Sequence, residues 1–233
     1  MTAFLFDLDG VLVNTRDLVI TGWRRFATGR GRTVTDTEIV ERMFGRRTYD
    51  VLVEIFGVPP DEAARLLPVL GDRRDEVKTG APLREIAGAA SFVREALAAG
   101  IPCAVASSAS SINIGLALGA IGLGELLEVI VDASAVELGK PSPDPYLAAA
   151  RGLGVDPRRC VVFEDTPVGI EAGLAAGARC VGVATLGRPD LLGRAHLVVD
   201  DFRGWTPQGI LDDLATRGPI PDPPAMPGLP KGR

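Results

Sequence analysis

Six short segments of the chain are almost entirely apolar, which is typical of β-strands buried on both faces of a parallel sheet. They are Ala3–Phe6, Cys103–Ala106, Val129–Val131, Cys160–Phe163, Cys180–Ala184 and Leu197–Val199. Segments with helical spacing of apolar residues separate most of them. Because strands alternate with helices, the pattern predicts an α/β fold, a Rossmann-like parallel sheet with helices on both faces.

Helix boundaries are marked by capping residues. The segment Glu85–Ala98 places apolar side chains on one face, and Gly100 follows it. Ser142–Asp144 is a typical helix start, with a capping serine, a proline and then an acid, and Thr166–Pro167 begins another helix in the same way. The helices between the later strands are therefore predicted with defined ends.

One interval, from about Thr15 to Gly80, contains no comparable buried strand. It contains amphipathic helical segments near Arg16–Thr28, Asp36–Phe44, Arg47–Phe56 and Pro60–Val77. We therefore expect an all-helical cap domain over residues 15–82, inserted into an α/β core formed by residues 1–14 and 83–215. Residues 216–233 are rich in proline and are predicted to form an irregular or disordered tail.

Composition narrows the class of protein. The net charge of −5, without any basic run, argues against a nucleic-acid partner. No apolar stretch approaches the ~18 residues of a membrane span, and the N-terminus enters a strand without a leader, so a cytoplasmic protein without a membrane partner is expected. The three cysteines, Cys103, Cys160 and Cys180, lie in or beside apolar runs and are predicted to be reduced core thiols.

The chain has a single histidine, His196, which begins a short strand-like run. Metal sites that need two histidines are excluded within one chain. The histidine itself is interpreted as a structural residue at a strand edge. Any acid–base chemistry must therefore depend on carboxylates.

Polar side chains follow three of the predicted strands. Asp7 follows the first, Ser107 the second, and Glu164 and Asp165 follow Cys160–Phe163. Ligands of open parallel sheets bind beyond the carboxyl ends of the strands, so these side chains are expected to meet at one edge. Each one alone is better explained as a turn former or a cap, and only their convergence favours a site.

Lys140 lies just before a predicted helix, on the same edge of the sheet. The chain has only three lysines among its 25 basic residues, so a retained lysine suggests a need for a compact ammonium group. A lysine before a proline is otherwise usually solvated. Together with the strand-end residues, Lys140 indicates a site for an anion and a metal.

The residue types suit phosphoryl transfer. Asp7, Asp165 and a backbone carbonyl are suitable ligands for Mg²⁺, and Glu164 is expected to join them directly or through water. A carboxylate can attack phosphorus only if the phosphoryl oxygens are neutralised, a role that fits Lys140 and the Ser107 hydroxyl, with Ser108 beside it. Asp9, two residues after Asp7, is placed to act as a general acid and base.

Four motifs of this chain resemble those of the haloacid dehalogenase superfamily, in order and at suitable spacing. They are Asp7-Leu-Asp9-Gly-Val-Leu-Val-Asn-Thr, Ser107, Lys140-Pro and Glu164-Asp165, and the resemblance covers about residues 1–200. The insertion resembles the cap of the subgroup with sugar-phosphate phosphatases, phosphoglycolate phosphatase and β-phosphoglucomutase. The resemblance implies an aspartyl-phosphate on Asp7. It also implies that Asp9 protonates the leaving alkoxide and then activates water, while its carbonyl binds Mg²⁺.

Other activities within this superfamily fit less well. The dehalogenases lack the second aspartate, which is Asp9 here, and the phosphonate-cleaving members use a cap lysine, for which only Lys78 is available. A phosphoglucomutase, which resembles this chain in all four motifs, is the main alternative. Such mutases typically have a histidine at the cap hinge, about where Val19 stands, and this difference favours hydrolysis. A binding module without catalysis is disfavoured by the intact motifs. We therefore expect a Mg²⁺-dependent phosphatase that acts on a small phosphorylated metabolite, a sugar phosphate or a similar phosphomonoester.

Specificity is expected to depend on the cap. Arg46 and Arg47 follow a predicted helix and are predicted to bind a second anionic or hydroxyl group of the substrate, although a solvated arginine pair explains them equally well. Arg73 and Arg74 are weaker candidates. The expected partner is a small phosphate ester, and neither its identity nor the oligomeric state follows from the sequence.

Overall fold

A six-stranded parallel sheet forms the centre of the computed structural model, which describes residues 1–70 and 83–218. Its strands are β1 (Ala3–Phe6), β4 (Cys103–Ala106), β5 (Val129–Val131), β6 (Cys160–Glu164), β7 (Arg179–Val183) and β8 (Leu197–Val199). The strand order is β5-β4-β1-β6-β7-β8. All of the predicted strands are confirmed, with ends that differ by at most one residue, and so is the α/β fold class.

Helices cover both faces of the sheet. The α-helices of the described residues are α1 (Arg16–Gly29), α2 (Asp36–Arg42), α3 (Thr48–Asp50), α4 (Pro60–Leu70), α5 (Ala89–Ala98), α6 (Ser111–Ala120), α7 (Asp144–Gly152), α8 (Pro167–Ala175) and α9 (Pro207–Thr216). Helix α3 continues into a π-helical turn, Val51–Ile55. Helices α5, α6 and α9 cover one face, and α7 and α8 cover the other.

The side chains of β1 and β6 alternate between the two faces of the sheet. On one face, a cluster of contacting phenylalanines fills the core: Phe4, Phe6, Phe92, Phe163 and Phe202. Ala3 and Leu5 face the other side, with the small residues of α7 and α8. Because side chains alternate along a strand, Asp7 continues the row of Ala3 and Leu5 towards α7.

A separate helical segment, residues 16–70, lies between two short strands. These strands, β2 (Val13–Asn14) and β3 (Arg84–Glu85), pair antiparallel and were not predicted. The helical segment has its own apolar clusters, one around Ile39 and one around Leu52. Leu186 of the α/β part joins the first of these clusters. The predicted cap thus corresponds to a region with internal packing, although its treatment as a domain stays a prediction.

Two helix starts differ from the prediction. Helix α5 begins at Ala89 and not at Glu85, because Arg84–Glu85 pairs with β2 and Gly88 adopts a left-handed conformation with φ 82°. Pro143, and not Ser142, is the N-cap of α7. Both differences arise from tertiary contacts or cap geometry that apolar spacing does not report.

Other predictions fall partly outside the described residues. The last part of the predicted helix Pro60–Val77 lies there, together with Arg73, Arg74, Lys78 and most of the proline-rich tail. The three cysteines are free and buried, as predicted. Within residues 1–70 and 83–218, none of the helices has the length and apolar character needed to cross a bilayer.

Candidate active site

Polar residues of four segments meet at the carboxyl edge of the sheet. Strand β1 lies between β4 and β6, so Asp7 lies between Ser107 and Glu164 at the strand ends. Lys140 enters from the loop that precedes α7. The structure therefore brings together side chains that are more than 130 residues apart in sequence, such as Asp7 and Lys140.

Lys140 is the centre of this group and is 1% exposed. Its Nζ donates hydrogen bonds to Asp7 Oδ1 at 2.5 Å, to Glu164 Oε1 at 2.6 Å and to the Ala106 carbonyl at 3.1 Å. An ammonium group has three donors, so these bonds use all of them and fix its position. Burial alone would lower the pKa of Lys140, but the carboxylates of Asp7 and Glu164 outweigh it and raise the pKa, so the group stays charged.

Glu164 is held on both of its oxygens. Oε1 accepts hydrogen bonds from Lys140 and, at 2.7 Å, from the hydroxyl of Tyr146. Oε2 accepts from the Asp165 N–H at 3.0 Å and from the N–H and hydroxyl of Thr166 at 3.2 Å and 3.0 Å. A Cβ at position 169 would lie 1.8 Å from Glu164 Oε1, so only Gly169 leaves room for the carboxylate.

Asp165 contrasts with Glu164, because neither of its buried oxygens has a hydrogen-bond partner among the described residues. Burial and the nearby carboxylates of Glu164 and Asp7 raise its pKa well above the usual value. Gly10, with φ 83°, is required beside it, because a Cβ there would lie 1.9 Å from Asp165 Oδ2. An unpaired buried carboxylate is costly unless a cation binds it.

Oxygen atoms of Asp7, Glu164 and Asp165 lie within 4.8 Å of one another. Burial raises the pKa of Asp7 to about 7, since it outweighs the opposite effect of Lys140. Three buried carboxylates thus share a single ammonium among the residues that the structure describes around them. This excess of negative charge fits a hard divalent cation, which prefers oxygen ligands.

Ser107, Ser108 and Asp9 are the remaining predicted site residues of the α/β core. Ser107 is buried, and its hydroxyl oxygen accepts a hydrogen bond from the Ala109 N–H at 3.1 Å. The Ser108 hydroxyl donates to the Gly45 carbonyl at 2.8 Å, which joins the β4 end to the helical segment. Asp9 is partly exposed and lines a small cavity with Thr15. Substrate contacts of Ser107 and Ser108 stay predictions.

The two predicted specificity arginines have partners within the protein. Arg46 Nη1 lies 2.7 Å from Glu54 Oε2. Arg47 forms two hydrogen bonds with Asp50, at 2.8 Å and 2.9 Å, and a third at 2.9 Å with the carbonyl of Glu137, in the loop before Lys140. Binding of substrate by either arginine therefore stays a prediction.

Sequence reasoning missed Tyr146 and Thr166 as members of the site. Thr166 was predicted only as a helix cap, and its hydroxyl does accept from the Gly169 N–H at 3.2 Å while it donates to Glu164. Tyr146 carries no local signal, because a tyrosine in the first turn of an amphipathic helix is usually a core residue. The single histidine, His196, lies directly before β8, and its Nδ1 accepts from the Cys180 N–H at 3.0 Å.

Two known proteins are similar to this chain over most of its length. The chain is 37% identical over 192 residues to the Arabidopsis thaliana protein SUPPRESSOR OF QUENCHING 1, chloroplastic, covering 79% of this chain but only 18% of that larger protein. It is 32% identical over 203 residues to hexitol phosphatase A of Escherichia coli strain K12, covering 87% of this chain and 92% of the relative.

A solved structure and a family model complete the comparison. The crystal structure of β-phosphoglucomutase from Clostridium difficile matches with a TM-score of 0.77 and 26% identity, over 93% of this chain and 98% of that one. The model of the haloacid dehalogenase-like hydrolases matches residues 1–177. This match covers all four motifs and the buried group around Lys140, and the chain therefore belongs to the haloacid dehalogenase-like hydrolase family.

Proposed function

We propose that the protein is a Mg²⁺-dependent phosphatase that hydrolyses a small phosphorylated metabolite, a sugar phosphate or a similar phosphomonoester. The observation that carries this proposal is the pair of buried Asp165 oxygens, which have no hydrogen-bond partner within residues 1–70 and 83–218, beside Asp7 and the fixed ammonium of Lys140. Such a site needs a cation beside Asp165 and Asp7, and Lys140 supplies a positive charge on the other side. A phosphoryl group requires positive charge of this kind around its oxygens. The similarity to hexitol phosphatase A along nearly its whole length supports the same reaction class.

The residues present fit a magnesium ion. Asp7, Asp165 and the backbone carbonyl of Asp9 would hold it, since all three supply hard oxygen ligands. When bound, the ion neutralises negative charge on the phosphoryl oxygens and on the two aspartates. The raised pKa values of Asp7 and Asp165 describe the protein before this neutralisation.

Glu164 is assigned a role different from that of the metal ligands. Both of its oxygens are already bonded by Lys140, Tyr146 and the start of α8. Direct ligation of the metal would require it to exchange at least one of these partners. We therefore infer that Glu164 mainly holds Lys140 in place and acts on the metal through water.

In the first half of the reaction, a carboxylate oxygen of Asp7 attacks phosphorus. The bond from phosphorus to the ester oxygen breaks, and its electron pair stays on the leaving alkoxide. Asp9, protonated at this stage, donates its proton to that oxygen. Lys140 stabilises the phosphoryl oxygens during transfer through its charge, since its three donors already bind protein acceptors, and Ser107 does so through its hydroxyl. Both groups are in position before the substrate arrives.

In the second half, Asp9 is a carboxylate and accepts a proton from water. The water oxygen attacks the phosphorus of the aspartyl-phosphate, and the bond to Asp7 breaks. Inorganic phosphate leaves, the Asp7 carboxylate is restored, and the proton on Asp9 is available for the next cycle.

A mutase that transfers the phosphoryl group to a second sugar hydroxyl is the alternative, and the similarity to β-phosphoglucomutase favours it. Against it stands Val19, which occupies about the position of the hinge histidine of the mutases. Val19 packs against the apolar cluster around Ile39, and His196 is held beside β8. A valine supplies no acid or base, so transfer to water is the better supported outcome.

The helical segment is proposed to act as the cap that selects the leaving group. Its own apolar clusters and its position between β2 and β3 support this role. The predicted limits, residues 15–82, include the residues between Leu70 and Leu83 that lie outside the described part of the chain.

The test is a screen of the purified protein against a panel of phosphorylated metabolites, with release of inorganic phosphate as the readout. We expect hydrolysis with Mg²⁺, none with EDTA and recovery when Mg²⁺ is added back. Turnover that persists in EDTA would contradict the metal requirement. Conversion of a hexose 1-phosphate to its 6-phosphate, without release of phosphate, would identify a mutase.

A further inference from the structure

We propose that Arg47 is a positioning residue that couples the helical segment to the loop that carries Lys140. This inference rests on the proposed function, because it concerns how the phosphoryl-binding ammonium is kept in place. It differs from a substrate contact, since the guanidinium acts on the protein and not on the ligand. Four observations carry it: the acceptors of Arg47, its burial, the glycine beside it and the position of that glycine in the chain.

The guanidinium of Arg47 is bound from both sides. Nε and Nη2 donate to the two oxygens of Asp50 at 2.8 Å and 2.9 Å, a bidentate pair between the N-cap residue and the last residue of α3. Nη1 donates to the carbonyls of Glu137 and Val136 at 2.9 Å and 3.4 Å. The side chains of Arg47 and Asp50 are only 17% and 15% exposed, so solvent screens these contacts weakly. Asp50 therefore aims Arg47 at the loop around residue 137.

Gly139 shows that the loop is built around this arginine. A Cβ at position 139 would lie 2.6 Å from Arg47 Nε, 2.9 Å from its Cδ and 3.0 Å from its Cγ. Gly139 does not have a positive φ, so its backbone does not itself require glycine. The need for glycine at this position thus comes from the Arg47 side chain.

Lys140 follows Gly139 directly, which makes the contact relevant to the reaction. Its Nζ must reach Asp7 and Glu164 at 2.5 Å and 2.6 Å at the same time, so a shift of the preceding residue disturbs both bonds. Gly45, two residues before Arg47, also accepts a hydrogen bond from Ser108. One turn of the helical segment therefore contacts the loops that carry Ser107 and Lys140.

The experiment is a double-mutant cycle with Arg47→Ala, Gly139→Ala and both changes together. The readouts are kcat and KM for p-nitrophenyl phosphate with Mg²⁺, and the inhibition constant of vanadate, a mimic of the transferred phosphoryl group. We expect each single change to lower kcat by roughly 10- to 100-fold, because a misplacement of about 1 Å in a catalytic group has an effect of this size. Vanadate should bind more weakly by a similar factor.

The double variant shows whether Arg47 and Gly139 act together or whether each change impairs the enzyme independently. Once Arg47 is alanine, the added Cβ at position 139 has space, so the double variant should be no worse than Arg47→Ala alone. Free guanidinium ion should partly restore Arg47→Ala, and it should restore the double variant less, because the new Cβ occupies part of its place. Arg42→Ala is the matched control, since Arg42 is an exposed arginine of α2 that lies 3.4 Å from Glu38 on the same helix.

Two results would overturn the proposal. One is full additivity of the two changes, and the other is an Arg47→Ala enzyme that loses activity on a larger phosphate ester but retains it on p-nitrophenyl phosphate. Failure of the proposed function looks different, because the wild-type protein itself would then show no Mg²⁺-dependent turnover. In that case the same cycle measured by thermal unfolding still reports whether Arg47 and Gly139 are coupled.

Discussion

Replacement of Asp7 by asparagine should remove activity and at the same time stabilise the metal-free protein. Activity and the phosphoenzyme are lost because an amide cannot act as the nucleophile. Stability increases because burial disfavours the charged form of Asp7, and the nearby carboxylates of Glu164 and Asp9 add to this effect. The same residue thus lowers stability in the absence of the metal and is needed for the proposed chemistry.

The magnitude follows from the pKa of Asp7. Folding raises this pKa from 3.8 to about 7, a shift of about three units at ~1.4 kcal/mol each, so the charged form costs about 4 kcal/mol at pH 8. An amide has no such cost, although it bonds Lys140 less strongly than a carboxylate does. We expect a net gain of about 2–4 kcal/mol in the free energy of unfolding, which raises the Tm of a chain of this size by at least roughly 4 °C.

The direction in which stability changes with pH distinguishes the buried charge of Asp7 from other causes of a stability difference. Between pH 3.8 and about 7 the folded protein holds a proton on Asp7 that the unfolded chain has released. Wild-type stability therefore falls as the pH rises through this window, and the advantage of Asp7→Asn should be absent below about pH 4 and complete above about pH 7.

The assay is thermal unfolding of both proteins in EDTA from pH 4 to pH 8, followed by trapping of radiolabelled phosphoenzyme with Mg²⁺. Asp201→Asn is a control with the opposite sign, since the hydrogen bond from Arg203 lowers the pKa of Asp201. The reasoning is refuted if Asp7→Asn is no more stable than the wild-type protein at pH 8, or if its advantage is as large at pH 4. Radiolabel trapped on Asp7→Asn at wild-type levels would remove Asp7 as the nucleophile.

Three further changes probe the same site. Asp9→Asn should retain Mg²⁺ binding, measured by calorimetry, because the expected ligand is a carbonyl, while turnover collapses for lack of a proton donor; near-normal turnover would remove Asp9 from the mechanism. Lys140→Arg should lower kcat steeply, because a planar fork cannot reproduce the three bonds of the ammonium, and unchanged kcat would show that charge alone suffices. Gly10→Ala should abolish the stabilisation of the protein by Mg²⁺ in thermal unfolding, because its Cβ would lie 1.9 Å from Asp165 Oδ2; an unchanged Mg²⁺ response would place the metal elsewhere.

The sheet could be predicted because its strands are apolar on both faces, and the site because its polar residues follow those strands directly. Asp7, Ser107 and Glu164 need no long-range information beyond the rule that ligands bind at the carboxyl edge. Lys140 was recognised by its rarity and by its motif. These signals are local, and a single sequence contains them.

The contacts that the sequence did not predict join residues far apart in the chain or involve strands of only two residues. Arg47 and Glu137 are 90 positions apart, and neither carries a pattern that points to the other. Strands β2 and β3 have two residues each, too few for any periodicity, yet their pairing delays the start of α5. The hydroxyl of Tyr146 reaches Glu164 from a helix turn that resembles ordinary core.

Because β2 and β3 pair, the chain leaves and re-enters the α/β layer at neighbouring points. An insertion anchored in this way can grow, shrink or be exchanged with little effect on the sheet, since each doubling of a flexible loop costs only about 0.6 kcal/mol in closure entropy. Natural variation can therefore alter the helical segment while the buried charges at the sheet edge stay unchanged. New substrate preferences can arise by recombination of whole segments, provided that the turn around Arg47 still meets the loop before Lys140.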